Sequence, residues 1–333
     1  MMTTIREVAK EAGVSVATVS RVMRETDKVS KEKRERVLEA IDRLNYQPNM
    51  IARFLRTSKT RTVLVVVPDI TNPFFSNVLT GIQNYANQTG YHVLLFNAVN
   101  IRNQNHELME MLGQKQVDGI IMLTSQVEKN LLEKMNEAYN LVLACEYIDG
   151  IDVPTVAIDN ISSSRKMTNH LIQIGYRKIA HISGELDIVL SVDRLKGYKQ
   201  ALYEASMDVP NAYIQEGDFS YEAGYNLTLK LLSLEEPPDA IFAASDEMAM
   251  GAVQAAQSKG IQIPEDIAIV GFDDIKMASI FSPALTTIAQ PTLNIGSKAM
   301  ELAIKRMEGE VITKSQYILN DHLIVRKSCG YHV

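Results

Sequence analysis

From residue 61 onward, the sequence alternates short apolar runs with longer amphipathic runs, and this alternation limits the possible folds more than any other feature. The apolar runs are strand-sized. Helix-length patterns follow several of them, at 74–88, 107–115, 162–174 and 246–259. Such alternation predicts parallel sheets joined by right-handed crossovers. The predicted strands are 62–67, 91–97, 119–123, 141–145, 155–158, 178–182, 240–244 and 267–271.

The length of this alternating part, residues 61–333, exceeds what a single hydrophobic core usually serves. We therefore expect two lobes. Ligands of open α/β sheets bind at the carboxyl ends of the strands, so a cleft is expected there.

Residues 4–46 show a different pattern, that of three short helices. Thr4 and Glu7 have the spacing of a capping box, Gly13 interrupts the pattern, and Ser15 can cap a second helix reaching about residue 23. A third helix is predicted over 30–44. A helix, a tight turn and a second helix supported by a third are typical of a helix-turn-helix. The predicted core of this unit is Val8, Ala9, Val14, Val19 and Val22.

The charge distribution supports a nucleic-acid contact at this end of the chain. The whole chain has 34 Lys and Arg against 40 Asp and Glu, a net charge of -6. Residues 1–61 hold 14 basic and 8 acidic side chains, a charge of +6, so the remainder carries -12. A basic N-terminal unit on an acidic body can contact a polyanion through one end.

Several protein classes are excluded by what the sequence lacks. It has no apolar run of the roughly 20 residues that a membrane span needs and no apolar export signal. Two cysteines, Cys145 and Cys329, make no disulfide framework, so a cytoplasmic protein is expected. Nucleotide-binding, nucleophile and zinc motifs are absent, so we expect no enzyme, no metal and no cofactor.

Residues 4–24 closely resemble the DNA-binding unit of the lactose-repressor/galactose-repressor family, and the similarity continues through the rest of the chain. Several segments look most like its cytidine-repressor branch. The matching segments include 27–30, 34–40, 44–55, 67–75, 117–120, 216–219, 245–251, 271–274 and 285–291.

The resemblance implies an N-terminal all-α helix-turn-helix unit followed by a two-lobed α/β core with parallel sheets, like type I periplasmic binding proteins. We expect a DNA-binding domain at 1–46, a hinge helix and linker at 47–60, and an effector-binding and dimerisation core at 61–333. Within the core, one lobe would comprise about 61–160 and 291–320. The other would comprise about 161–290 and 321–333.

The second helix would lie in the major groove. The resemblance implies that Val16, Ala17 and Arg21 choose the operator sequence. Arg21 can contact guanine with two hydrogen bonds, while the two small residues pack on base edges. The hydroxyls near the helix start suit phosphate. Alternatively, Val16 and Ala17 are ordinary helix residues and Arg21 is a solvated charge. The predicted DNA-contacting residues of this unit are Thr4, Ser15, Val16, Ala17, Thr18, Ser20 and Arg21.

The hinge matches the family pattern at Pro48, Asn49, Ala52 and Leu55. The resemblance implies that Leu55 is a wedge in the minor groove that kinks the operator. The segment is too short to be a stable helix alone, so we expect it to order on DNA, with Asn49 and Ala52 in the same contact. Alternatively, it is a linker whose Leu55 packs on the core.

The effector site is expected in the cleft. An aromatic side chain at 74 can stack on a sugar or base, Asn72 can bond a hydroxyl, and Phe219 is a second candidate wall. Of Phe74 and Phe75, we expect Phe75 to be the core residue. Asp246 is expected to cap the helix that follows it. The family's other ligand contacts match Asp159, Arg194, Ser245, Asp273 and Gln290.

Ile188 and Leu190 replace polar side chains that purine-binding relatives use, so a purine base is not expected. We predict a homodimeric regulator, a repressor, with two partners: a palindromic double-stranded DNA operator and a small effector. The effector would be a pentose, a hexose, one of their phosphates or a nucleoside. The rival classes are a sugar or nucleoside receptor that does not use DNA and, more distantly, an enzyme.

Leu55→Ala tests the wedge. The substitution should weaken operator binding and reduce bending of the DNA, because a methyl group cannot occupy an unstacked base step. Gel-shift titration and circular-permutation bending assays measure both. Unchanged affinity together with unchanged bending would remove the wedge role.

Overall fold

The computed structural model describes residues 3–23, 29–46, 59–98, 101–148 and 150–330. The chain forms two compact units, Met1–Thr60 and Arg61–Val333, and each is described by itself. The hinge residues Asn49, Ala52 and Leu55 lie outside the described residues.

Three helices make up the described part of the N-terminal unit: α1 (Ile5–Glu11), α2 (Val16–Val22) and α3 (Lys31–Arg43). All three were predicted. The predicted capping box is present, since the Thr4 side chain accepts from the Glu7 amide and the Glu7 carboxylate accepts from the Thr4 amide. Gly13, in the turn between α1 and α2, has φ +61°, a left-handed conformation that suits glycine.

A small apolar core joins these helices. Its buried members are Val8, Ala9, Ala12, Val19, Val22, Val37 and Ala40, with Val14 packed at the edge. The N-terminal unit therefore has its own core, to which α2 contributes Val19 and Val22.

The larger unit contains strands and helices in alternation. In chain order the strands are β1 (Thr62–Val67), β2 (His92–Asn97), β3 (Gly119–Met122), β4 (Asn140–Ala144), β5 (Thr155–Ala157), β6 (Ile179–Ser183), β7 (Ile214–Glu216), β8 (Ala240–Ala243), β9 (Ala268–Val270), β10 (Thr287–Ala289), β11 (Gln316–Ile318) and β12 (His322–Ile324). The helices are α4 (Pro73–Thr89), α5 (Ile101–Gly113), α6 (Lys129–Ala138), α7 (Asn160–Gln173), α8 (Val189–Glu204), α9 (Tyr221–Leu232), α10 (Asp246–Ser258), α11 (Lys276–Ile280) and α12 (Thr292–Glu308).

The strands form two parallel sheets and one short antiparallel pair. The first sheet has the order β11-β5-β4-β3-β1-β2, and the second has the order β7-β6-β8-β9. Strands β10 and β12 pair antiparallel. All eight predicted strands are present, while β7, β10, β11 and β12 were not predicted. The expected α/β fold with parallel sheets is confirmed.

Helices α4 and α12 pack closely on one side of the first sheet, and two glycines permit the contact. A Cβ atom at Gly81 of α4 would overlap the carbonyl of Leu293, and one at Gly296 of α12 would overlap the carbonyl of Val78. The two backbones therefore approach more closely than side chains larger than hydrogen would allow.

Gly296→Ala should lower the free energy of unfolding by about 2 kcal/mol, because the added methyl meets backbone and forces the helices apart. Gly113→Ala is the matched control, since a Cβ there meets no atom within 4 Å. That control should be neutral or slightly stabilising. Urea denaturation measures both, and equal effects of the two substitutions would contradict the close packing.

Candidate functional site

A cavity of about 660 Å³ opens at the carboxyl ends of the strands. Its wall is built by the segments that follow β1, β3, β4, β6, β7, β8 and β9, because parallel strands bring their carboxyl ends to the same edge. Single residues after β2 and β10, Ala98 and Gln290, complete it. Both sheets contribute. Seven of the eight predicted effector residues line it: Asn72, Phe74, Arg194, Phe219, Ser245, Asp273 and Gln290.

Arg194, in α8, is buried at the base of the cavity, with its side chain 5% exposed. Its Nε donates to Asn160 Oδ1 at 2.9 Å, and one Nη donates to the carbonyl of Ala244. The other Nη lies 3.7 Å from the Asp273 carboxylate, and the guanidinium carbon lies 3.7 Å from the centre of the Phe272 ring. The guanidinium is therefore held by the protein through several groups while it also lines the cavity.

Asp273 follows β9 and has a left-handed backbone, with φ +114°. Its carboxylate accepts from Gln290 Nε2 at 2.7 Å, so two predicted effector residues contact each other directly. Burial raises the pKa of the Asp273 carboxyl to about 6, although Arg194 and the bond from Gln290 act in the opposite direction.

Asp246 does not cap α10, and that prediction is wrong. Ser245 is the cap, since its hydroxyl accepts from the Met248 amide at 3.2 Å. The Asp246 carboxylate is instead fully buried, where it accepts from Thr287 Oγ1 at 2.7 Å and from the Ile275 amide at 2.9 Å. Burial, assisted by the charge of Asp273, raises its pKa well above the usual range.

The aromatic wall differs from the prediction in one respect. Phe74 is the buried ring, 8% exposed, and belongs to the main core, whereas Phe75 is half-buried at its edge. The expected assignment of Phe75 as the core residue is wrong, because Phe74 takes the buried position and Phe75 packs against the outside of the same cluster. Both rings nevertheless line the cavity and stand edge to face, with centroids 5.1 Å apart.

Asp159 does not line the cavity. Its exposed carboxylate caps α7, accepting from the Ser162 amide at 3.0 Å and from the Ser162 hydroxyl at 2.6 Å. Its neighbour Asn160, the first residue of that helix, is the one that reaches the site, through Arg194.

Several lining residues were not predicted, and seven of them are acidic. Glu146 is buried just beyond β4, where it accepts from the amide and hydroxyl of Ser125 at 2.6 Å each. Glu247 lies half-buried in the first turn of α10. The predicted strand ending at residue 145 could have identified Glu146, because a polar residue directly after a buried parallel strand lies at the cleft.

Ile188 and Leu190, the two apolar residues that argue against a purine base, both line the cavity. An apolar side chain at either position offers a ligand no hydrogen bond, so that part of the wall can only cover a ring or exclude water.

The second candidate site is the outer face of α2. Ser15, Val16, Ala17 and Arg21 are exposed, and Val16 has 40% of its surface accessible. The side chains of Val16 and Ala17 can make van der Waals contacts on this face but no hydrogen bonds. Ser15 caps α2 by accepting from the Thr18 amide at 3.2 Å. Thr18 and Ser20 are half-buried, and Thr4 is exposed at the start of α1.

Two family models match the chain. "Bacterial regulatory proteins, lacI family" matches residues 4–49, and "Periplasmic binding proteins and sugar binding domain of LacI family" matches residues 60–322. The chain belongs to the LacI family. Like its relatives in this family, it is a DNA-binding transcription regulator and not an enzyme.

Two curated relatives span almost the whole chain. The HTH-type transcriptional repressor CytR of Escherichia coli strain K12 is 38% identical over 326 residues, 98% of this chain and 96% of the relative. Catabolite control protein A of Priestia megaterium is 39% identical over 331 residues, 98% of this chain and 99% of the relative. The predicted family is confirmed, and the two identities do not separate one branch from another.

A solved structure supports the same fold. The lac repressor dimer bound to operator and the anti-inducer ONPF is similar with a TM-score of 0.86 and 27% identity, covering 99% of each chain. Within the described part of this LacI-family chain, no helix is long and apolar enough to cross a membrane.

Asp273→Asn should change how stability depends on pH. The carboxyl pKa rises from 3.8 to about 6 on folding, so between these values the folded protein holds a proton that the unfolded chain releases. The contribution of this carboxyl to the free energy of unfolding therefore falls as pH rises through this window. Asparagine does not titrate, so the substitution removes that contribution.

The free energy of unfolding of the natural protein, minus that of Asp273→Asn, should thus decrease from about pH 4 to about pH 6. Urea denaturation followed by circular dichroism at several pH values measures the difference. A difference that stays constant, or that grows with pH, would contradict the raised pKa.

Proposed function

We propose that this regulator is a repressor whose affinity for a palindromic operator is set by a small hydroxyl-rich effector in the cavity. Residues 1–46 bind DNA, 47–60 form a hinge, and 61–333 bind the effector and dimerise. One observation carries the proposal: a chain with a helix-turn-helix, whose recognition face is exposed, also contains a polar, aromatic-walled cavity.

On the DNA side, α2 enters the major groove. Arg21 contacts a guanine with two hydrogen bonds, and Val16 and Ala17 pack on base edges and thymine methyls. Ser15, Thr18, Ser20 and Thr4 contact phosphates, which fix the register without reading the bases. The free amide groups at the start of α2 favour the same anion.

On the effector side, the cavity offers the two components that a sugar or nucleoside needs. Carboxylate and amide oxygens, on Asp273, Gln290 and Asn72, accept or share hydroxyl hydrogen bonds. Phe74 and Phe219 cover the apolar face of a ring. Arg194 holds Asp273 in position, and Asp159 is left out of the set because it caps α7.

The coupling between the two functions runs through the hinge. We propose that a homodimer places two hinges side by side on the operator, with Leu55 as the minor-groove wedge and Asn49 and Ala52 in the same contact. Effector binding alters how the hinges pair and hence the affinity for DNA. Such a regulator acts in the cytoplasm, where the operator is.

Arg21→Ala tests the DNA side on an operator obtained by selection from random duplexes. The variant should lose about 1–3 kcal/mol, roughly 5- to 150-fold, for the selected operator and relax its preference at one base pair of each half-site. Arg43→Ala is the matched control. Arg43 is an exposed arginine of α3 paired with Glu11 at 2.9 Å.

The control should alter selected and random duplexes alike, since a distant charge changes only the electrostatic part of binding. Fluorescence anisotropy at two salt concentrations separates the two effects. If Arg21→Ala kept the full preference for the selected operator, the assignment of α2 as the reading helix would be wrong.

A further inference from the structure

The cavity is strongly acidic, and this feature bears on the kind of effector it can take. Among the described residues that line it, eight carry carboxyl groups and one, Arg194, carries a positive charge. Residues 62–333 as a whole hold 32 acids and 20 bases, which is a much lower ratio than eight to one. The cavity is therefore more acidic than the part of the chain that forms it.

The single cation does not offer a free anion site. Arg194 donates to Asn160 and to the carbonyl of Ala244, and it lies 3.7 Å from Asp273. A phosphate or carboxylate on the ligand would have to compete with Asp273 for this one counter-charge. Such competition would leave the buried Asp273 carboxylate poorly compensated, which is unfavourable.

The carboxyl groups also act on one another. Burial raises the pKa of the Glu247 carboxyl, and the charges of Asp273, Asp69 and Glu222 raise it further. Asp69, Glu222 and Asp273 line the same cavity, so the like charges converge on the space that a ligand fills. A positive charge in that space would relieve the repulsion.

Helix N-termini reduce this negative potential but do not reverse it. Helices α4, α8, α9 and α10 begin at the cavity wall, and each contributes about half a positive charge. Together they offset about two negative charges, and Arg194 offsets one more, against eight carboxyl groups. Nor do the carboxyls form a metal site, since the described residues contain no group of three or more acids, histidines or cysteines placed to hold an ion.

We propose that the effector carries a protonated amino group on a hydroxyl-bearing frame, and that the cavity excludes phosphorylated and carboxylated ligands. The proposal rests on the effector site proposed above and narrows its ligand class. Of the effectors that the sequence left open, sugar phosphates are removed.

The absence of tryptophan from the sequence allows a direct test. Phe75→Trp places one reporter in the cavity wall, and Tyr203→Trp places one on α8 at a residue that is 85% exposed and does not line the cavity. Each variant is quenched with caesium, with iodide and with neutral acrylamide at low, constant ionic strength. Quenching by neutral acrylamide measures how accessible each indole is. After correction for that accessibility, the ratio of the caesium to the iodide quenching constant reports the local electrostatic potential.

At Phe75→Trp the corrected ratio should exceed that at Tyr203→Trp by roughly sevenfold or more, the enrichment that a potential of one kT produces for two opposite ions. Adding Glu247→Gln should lower the ratio. Adding Glu310→Gln, which removes an exposed acid outside the cavity, should leave it unchanged. A ratio equal to or below that at Tyr203→Trp would overturn the proposal.

A second arm uses three forms of one sugar. D-glucosamine should shield the Phe75→Trp indole from acrylamide at a lower concentration than D-glucose, and D-glucose 6-phosphate should not shield it. If the phosphate shields best, or if the amine has no advantage over the neutral sugar, the proposal fails. Operator binding by Arg21→Ala is scored on DNA alone, so failure of the proposed function would be seen separately.

Discussion

The buried guanidinium of Arg194 is the interaction on which the organisation of the effector site depends. It joins the start of α7, the end of β8 and the loop after β9 through Asn160, Ala244 and Asp273. A buried cation is stable only when its donors are satisfied and a counter-charge is near, so these three segments have little freedom to move apart. Asp273 in turn holds Gln290, at the entrance to α12. One charge thus fixes the geometry of the cavity floor.

Most of the fold could be predicted because its signals are local. Periodicity and capping residues are read within ten or fifteen residues, and they identified α1–α3 and eight strands. Strands β7 and β10–β12 are three residues long and, unlike the equally short β5 and β9, are not buried along their whole length, so they lack a continuous apolar run. Their pairing depends on contacts distant in sequence, such as Tyr317 of β11 with Val156 of β5, which no local pattern contains.

The candidate site could be predicted in outline but not in its charge. Seven residues follow from the resemblance and from their position after strands. In the two wrong predictions below, the role belongs to the residue next to the predicted one in the sequence. Ser245 rather than Asp246 caps α10, and Asp159 caps α7 while Asn160 reaches Arg194. The convergence of eight carboxyl groups depends on how the segments after six strands meet, so only the three-dimensional arrangement reveals it.

Effector binding and operator binding are proposed to be coupled through the hinge, and thermodynamic linkage provides a test of this coupling. A ligand identified by thermal-shift screening of amino sugars, pentoses, hexoses and nucleosides is titrated calorimetrically into the free protein and into its operator complex. The affinity for the ligand should differ by about 5- to 150-fold between the free protein and the operator complex. Saturating ligand should change the affinity for the operator by the same factor. Equal ligand affinities in the two titrations would contradict it.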